Sequence, residues 1–425
     1  MNYEEMSSYI DSSNIDDVLK KIICSDDICD EKKRYHKLLD EIHNDIPNGD
    51  FHFVSSPGRV EIGGNHTDHQ HGHTISATIS YDNLCVFTKS NDTKIVYKDH
   101  ALGEVSLDIK DTNFLEDELN TSEAIIRGVA NRLKELGYKI GGFRAVCDPK
   151  VLIGSSLSSS ACFEVMIVEI FSYLYNEGKI DAVERALVSQ YSENKYFGKA
   201  CGLLDQSTIS SGGFVAIDFK EPTKPIIETF DFSFDSYGYD FFIVNTKGTH
   251  ADLSNEYSAM PSECKLIAKE LNKEVLADTN INDFYNHVKD IRNNVKNDRA
   301  LLRALHFYGE NERAIKQKEA IKNKDIDLLL KLMNESGRSS YMYLQNVYLS
   351  SNVKVQNVSL GLALTDSFLK GQGAFRIQGG GFEGTFLAIV PNSVSESYIK
   401  LINSLYGEGS IIQAKIRPFG TMIVA

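Results

Sequence analysis

The segment 151–165, VLIGSSLSSSACFEV, constrains the fold of this 425-residue chain more than any other stretch. A β-rich run ends in a loop of glycine and serine, and the loop opens onto a long apolar-periodic helix, CFEVMIVEIFSYLYN. The first backbone N–H groups of such a helix have no intrahelical partner, and the macrodipole places about half a positive charge there. Small residues let a phosphate approach those donors, and the hydroxyls of Ser158, Ser159 and Ser160 can bond phosphate oxygens or a bound Mg²⁺. A purely structural serine-rich cap has the same sequence. No Gly-Lys-Ser/Thr follows, which excludes a Walker loop, and the Gly-x-Ser-x-Gly of a nucleophile elbow is absent.

Around this unit the hydrophobic pattern divides the chain. Residues 1–47 carry two short helical patterns, IDDVLKKIICSDD and EKKRYHKLLDEIH, and read as a helical extension. From Phe51 the pattern turns to strands: FHFVSSP, TISATIS, NLCVFTKS and TKIVYKD. TSEAIIRGVANRLKEL predicts a helix, GGFRAVCD a strand, DAVERALVSQYSENKYFG a helix, and GGFVAIDF closes a block spanning 48–219. KEPTKPIIET holds two of the eight prolines and is the best internal boundary. The block 220–425 starts with strand YDFFIVNT and continues through helices over about 254–272, 281–294, 310–322, 325–336 and 355–369. It ends as strand AFRIQG, strand TFLAIVP, helix SVSESYIKLINSLYG and strand IQAKIRP, an α+β layout with a βαβ-like close.

A net charge of −14 without a basic run argues against a nucleic-acid partner, because clustered cations would be needed to neutralise phosphates. No run of eighteen apolar residues occurs and the acidic beginning lacks the layout of a secretory signal, so no membrane partner and a cytoplasmic location are expected. The seven cysteines form no CxxC pair and read as packed, reduced thiols.

Three further stretches bear chemistry. In GGNHTDHQHGHT, residues 63–74, His69, His71 and His73 alternate, so on an extended strand they would share a face and could meet one cation. Nothing in the sequence identifies a fourth ligand or a fixed second shell. CGLLDQ places Asp205 among apolar residues after a Cys-Gly turn, where it could cap a helix. AFRIQGGGFEGTF carries Gly379, Gly380 and Gly381 and could be a glycine-rich hairpin.

In this order the pieces resemble the galactokinases, within the GHMP small-molecule kinases. SPGRVEIGGNHTDH looks like the family's sugar signature, GSSLSSSACFEV its phosphate loop, CGLLDQ its catalytic-aspartate segment and RIQGGGFEGT its glycine-rich third motif. THADLSNEYSAMPSEC resembles the segment supplying a sugar-contacting tyrosine. The resemblance implies an α+β fold of two domains: a mixed sheet and helix domain, then a ferredoxin-like α/β sandwich, with the active site between them. It implies transfer of a phosphoryl group from ATP, with Mg²⁺, to the anomeric hydroxyl of a hexose, most simply D-galactose. Asp205 matches the presumed base and Arg59 the arginine that stabilises the developing alkoxide. Asn65, His66, Asp68 and Tyr257 fall on sugar-binding positions, and Gly154, Ser155, Ser156, Ser158, Ser159 and Ser160 on the ATP loop. Ser160 and Glu193 match the Mg²⁺ contacts. The histidines then belong to a hexose pocket rather than a metal centre, and a monomer is the expected state.

The sequence also departs from the family. Asn65 stands for a glutamate that meets the sugar near C6, and an uncharged amide would tolerate a carboxylate there, so galacturonate or another C6-altered hexose is the alternative substrate. His69 for the usual tyrosine points the same way. Ser156 and Glu383 replace glycines, and Thr249 stands where many members carry arginine. A sugar sensor that binds without turnover is the alternative of another class, against which the intact Asp205, Arg59, Glu193 and serine turn argue.

Overall fold

The computed structural model describes residues 1–151, 156–199, 201–248, 253–382 and 384–425. Helices α1 (Tyr3–Asp11), α2 (Asp16–Ile23) and α3 (Cys29–Asp45) precede the first strand, one more than the periodicity indicated. Their apolar stripes, among them Met6, Ile10, Leu19, Ile22, Tyr35 and Leu38, bury against Phe51, Phe53, Leu84, Val86 and Val146.

The first sheet contains β1 (Phe51–Gly63), β2 (His73–Lys89), β3 (Lys94–Asp99), β4 (Gly103–Asp108), β5 (Phe143–Pro149), β6 (Phe214–Asp218) and β7 (Ile226–Phe230). TISATIS and NLCVFTKS, read as separate strands, are the two halves of β2. The first half pairs with β6 and the second with β5, while β1 runs antiparallel alongside. The register of β1 shifts between Pro57 and Arg59 and again between Glu61 and Gly63. Such irregularities re-aim side chains, and here they flank Arg59. Helices α4 (Ser122–Glu135) and α5 (Ser159–Asn176) cover one face through Ile126, Val129, Met166 and Ile170. Then follow α6 (Ala182–Ser192) and α7 (Leu204–Ser211).

The second sheet joins β8 (Tyr239–Asn245), β9 (Ala374–Ile377), β10 (Thr385–Pro391) and β11 (Ile411–Ala414) in the order β11-β8-β10-β9, all antiparallel. That order, with helices crossing from β8 to β9 and from β10 to β11, is the ferredoxin-like arrangement expected. The first crossover holds α8 (Ser254–Glu270), α9 (Ile281–Val295), α10 (Asp298–Lys322), α11 (Ile326–Ser339) and α12 (Asn357–Leu369), and the second holds α13 (Ser395–Tyr406). α10 begins at Asp298, well before the expected start near 310, because Gly309 interrupts the apolar pattern without ending the helix. An interior glycine costs about 1 kcal/mol, and burial of Ala304, His306, Phe307 and Glu310 outweighs it.

β12 (Met422–Ile423) returns to β1, and β7, just past residue 219, still pairs with β6. One core runs from Val60, Ile62, Ile75 and Ala77 through Ala314, Leu329 and Met333 to Ile243, Leu387 and Ile389, so the two sheets share their packing. Among the described residues no helix is long and apolar enough to cross a membrane.

A buried charge cluster fixes the N-terminal helices. Arg34 of α3 donates to Asp82 at 2.7 Å, Glu31 at 2.9 Å and Asp148 at 2.6 Å, and Arg417 lies 3.6 Å from the other Asp82 oxygen. Replacing Arg34 by alanine removes the cation shared by two buried carboxylates, leaving Glu31 to Lys150 and Asp82 to Ser55 and the more distant Arg417. It is expected to cost about 3–5 kcal/mol, read as a lowered thermal midpoint with loss of helix signal.

Candidate active site

Three elements distant in sequence meet at the start of α5. Arg59 leaves β1 almost fully buried, and its Nε and Nη2 donate to the two carboxylate oxygens of Asp205 at 2.6 and 2.7 Å, across 146 residues of chain. Its Nη1 donates to the Ser156 carbonyl at 2.8 Å, and the Ser158 hydroxyl donates to Asp205 Oδ2. Asp205 sits in the first turn of α7, where the helix dipole favours an anion. Burial pushes its pKa upward, but Arg59, Ser158 and the charge of Lys199 hold it below the usual carboxylate range. Oδ1 carries one Arg59 N–H bond and keeps acceptor capacity, and the side chain is 33% exposed, so a hydroxyl can reach it.

Ser156 and Ser158 both adopt left-handed backbone, with φ of 57° and 62°. That costs a non-glycine residue about 1–2 kcal/mol, a strain that a glycine in place of Ser156 would avoid. The turn places Ser158 as the N-cap of α5 and Ser159 and Ser160 in its first turn, with the helix's unpaired N–H groups beside Asp205. Gly154 and Ser155 lie outside the described residues, as do Thr249 and Glu383.

Ser160 donates to Glu193 Oε1 at 3.3 Å. Glu193 is buried in a π-helical turn, Glu193–Phe197, a widening frequent at functional sites. Lys199 Nζ approaches the same Oε1 at 2.8 Å. Gln206 Nε2 donates to Glu193 Oε2 at 2.9 Å and to Glu164 Oε2 at 3.1 Å. Burial and then the charge of Glu193 push the Glu164 pKa well above normal, so Glu164 is the neutral member of the pair. A hydroxyl and a carboxylate are hard oxygen donors of the kind Mg²⁺ takes together with substrate phosphates, and the Lys199 ammonium already marks the place as suited to a cation.

The loop after β1 is not an extended strand. Asp68–Gln70 forms one 3₁₀ turn, His71 is left-handed with φ 61°, and only His73 enters β2, where its Nδ1 lies 3.0 Å from Asn311 Oδ1. The alternating histidines therefore do not share a face, which corrects the extended-strand reading. His66 is also left-handed, and its Nε2 donates to the Gly380 carbonyl at 3.4 Å. Burial holds its pKa down to about 4, leaving the ring neutral. Asp68, half-buried, has its pKa raised to about 6, by burial first and then by the charge of Asp205, against hydrogen bonds from backbone amides. Gly202 allows this approach: a Cβ there would stand 1.9 Å from Asp68 Oδ2. Tyr257 of α8 packs edge-on to Phe382 and donates to the Gly381 carbonyl at 3.5 Å.

Asn65 lies elsewhere than expected. Its amide donates to Glu61 Oε1 at 2.8 Å and the Gly379 carbonyl at 2.9 Å, and its oxygen accepts from Asn346 at 2.8 Å and Ser340 at 3.4 Å. All four hydrogen-bonding positions are filled inside the protein, so the side chain is a joint between the loop and the second sheet rather than a group facing a ligand.

Several residues of the site had no sequence signal. Glu310 of α10 accepts from the Gly64 and Asn65 backbone amides at 2.9 and 3.3 Å, and Arg313 donates to its other oxygen at 2.8 Å. Burial opposes its ionisation, yet Arg313, His306 and Arg376 bring its pKa to about 2. His306, one turn earlier, meets the Asn65 carbonyl at 2.9 Å. The i, i+4 spacing of His306 and Glu310 is visible in sequence, but their partners in the loop at Gly64 and Asn65, more than two hundred residues away, are not. Nothing in the sequence pattern distinguishes Gln206 and Lys199 from other polar residues.

The matches to known proteins agree with this geometry. Residues 41–89 match the family described as galactokinase galactose-binding signature, and residues 124–213 match the GHMP kinases N terminal domain. Galactokinase of Clostridium tetani (strain Massachusetts / E88) is 26% identical over 387 residues, covering 89% of this chain and 92% of that one. Galactokinase of Glaesserella parasuis serovar 5 (strain SH0165) is 29% identical over 374 residues, covering 85% and 90%. The crystal structure of Lactococcus lactis galactokinase complexed with galactose superposes with a TM-score of 0.76 at 22% identity, over 90% of this chain and 98% of that one. Fold and site thus define a GHMP kinase, an enzyme that moves a phosphoryl group onto a small molecule. The sugar signature on β1 and the loop behind it narrows the class. Over most of its length the chain is similar to galactokinases.

Asn65→Ala would take from the Gly379 carbonyl its bond to the Asn65 amide and leave the Asn346 amide only its 3.4 Å bond to the Gly380 carbonyl. It is expected to destabilise the protein by about 2 kcal/mol or more, seen in urea denaturation, and to raise hydrogen exchange at the Gly64 and Asn65 amides.

Proposed function

We propose that the protein is an ATP-dependent galactokinase that phosphorylates the anomeric hydroxyl of D-galactose to galactose 1-phosphate, with Mg²⁺ as the metal, in the cytoplasm. The observation that carries this reading is the convergence of Arg59, Asp205 and Ser158 at the start of α5, inside a chain bearing the sugar signature. The seven free cysteines suit a reducing compartment.

In this reading the α5 N-terminus and Ser158 to Ser160 hold the nucleotide phosphates, while Asp68, His66 and Tyr257 line the sugar pocket. Asp205 Oδ1 accepts a hydrogen bond from the C1 hydroxyl. As the O1–P bond forms and the bond from the γ-phosphorus to ADP breaks, the hydroxyl proton passes to Asp205. Phosphoryl transfer runs through a loose transition state in which charge on the nucleophile stays small, so a weakly basic carboxylate suffices if it aims the lone pair correctly. Arg59 keeps that carboxylate ionised and offers its positive charge to the alkoxide oxygen. Mg²⁺ held by Ser160 and Glu193 would neutralise the phosphate oxygens.

The internal commitment of the Asn65 amide removes the argument by which that substitution favoured a C6 carboxylate. A coupled ADP-release assay over a hexose panel tests the proposal. Galactose should give multiple turnovers and the highest kcat/KM. A galacturonate preference would overturn the substrate, and binding without turnover would identify a sensor. Asp205→Asn is expected to retain galactose and ATP binding while kcat falls by about 10²–10⁴.

Asp68 supplies a pH test. Its raised pKa leaves it neutral below about 6 and ionised above. A sugar hydroxyl donating to the carboxylate favours the ionised form, so galactose KM should rise as pH falls through about 6. Asp68→Asn should flatten that limb, read from kcat and KM separately between pH 5 and 8.

A further inference from the structure

Lys199 occupies a position that neither the sugar nor the nucleotide motif accounts for. Its Nζ stands 2.8 Å from Glu193 Oε1, the oxygen that Ser160 reaches at 3.3 Å, whereas Oε2 is committed to Gln206. Oε1 is therefore the Glu193 atom open to an ion, and a lysine already holds it. The two partners differ in freedom: the Glu193 side chain is 3% exposed and that of Lys199 59%. The carboxylate stays in place and the ammonium can swing into solvent. Local backbone supports the arrangement, because Gly198 turns with φ 88° and the Gly198 and Lys199 amides both donate to the Glu193 carbonyl, at 3.1 and 3.2 Å. The turn folds Lys199 back over the acid that begins it.

Resting on the reading of Glu193 as the metal-contacting acid, we infer that Lys199 is a place-holding counter-ion: it neutralises Glu193 Oε1 while no divalent cation is bound and must leave that oxygen for the cation to enter. A buried carboxylate beside Glu164 and Asp205 is costly without a positive partner, and Lys199 meets that cost in the free enzyme. Its presence also opposes the incoming ion, by occupying the donor and by like-charge repulsion. Lys199 thus sets the metal concentration the enzyme needs, and once displaced its ammonium lies at the edge of the phosphate site.

The test measures metal binding without turnover. Mn²⁺ is titrated by electron paramagnetic resonance into protein saturated with galactose and a non-hydrolysable ATP analogue. Removing one competing positive charge, Lys199→Met is expected to tighten Mn²⁺ binding by about tenfold, while Lys199→Arg stays near wild type. Lys199→Gln serves in the same role if the methionine variant folds poorly, with thermal midpoint and galactose affinity as controls. Unchanged or weaker Mn²⁺ binding in the neutral variants overturns the inference. Glu193→Gln separates it from the reading beneath it: wild-type Mn²⁺ affinity in that variant removes Glu193 as a ligand and the inference with it. Lost affinity there, combined with no effect at Lys199, removes the place-holding role alone.

Discussion

The fork of hydrogen bonds between Arg59 and Asp205 is the contact on which the rest of the site depends. It joins a strand of the first sheet to the start of α7, and Ser158 adds the N-cap of α5 to the same carboxylate. A guanidinium fits a carboxylate in two parallel bonds and fixes direction as well as charge. The acid is thereby kept ionised and immobile without being sealed off. A group in that state can orient a hydroxyl and take its proton late, which is what transfer of a phosphoryl group to a poor nucleophile requires.

Around that pair the protein separates its charges. Glu164, Glu193 and Asp205 would repel one another if all were ionised in a buried region. The conflict is eased by burial that favours neutral Glu164, by the amide of Gln206 that bridges it to Glu193, and by Lys199 beside Glu193 and Arg59 beside Asp205. Removing any one of these partners changes what the others must be.

The sugar loop depends on the second half of the chain for its shape. Left-handed His66 and His71 bracket it, and such a loop does not hold itself. α10 grips its backbone through Glu310 and His306, Asn346 grips Asn65, and Arg376 lies 3.0 Å from Glu61 on the strand before it. A loop built on left-handed turns needs rigid support from behind, and here the support comes from the C-terminal block. That is why a residue standing in a ligand-facing position of the motif can become an internal joint.

Much of this was legible beforehand. Strand-like runs marked the first part of β1, short of Arg59, and the second sheet, period 3.6 marked α5 and α13, and the serine turn at 156–160 announced a helix start able to face an anion. Resemblance to the galactokinase motifs, carried over position by position, pointed to Arg59, Ser158, Glu193 and Asp205. Gly309 concealed the first half of α10, and the alternating histidines suggested a strand where left-handed turns occur, since sequence spacing fixes a shared face only once the backbone is known to be extended. Local sequence therefore determined most of the elements, through backbone preference and hydrophobic period, which act over a few residues, while the motif resemblance supplied the candidate site residues. Tertiary structure alone decided that the Asn65 amide turns inward, that Lys199 covers Glu193 and that Glu310 holds the loop, because a hydrogen bond depends on ångströms in space and not on separation along the chain.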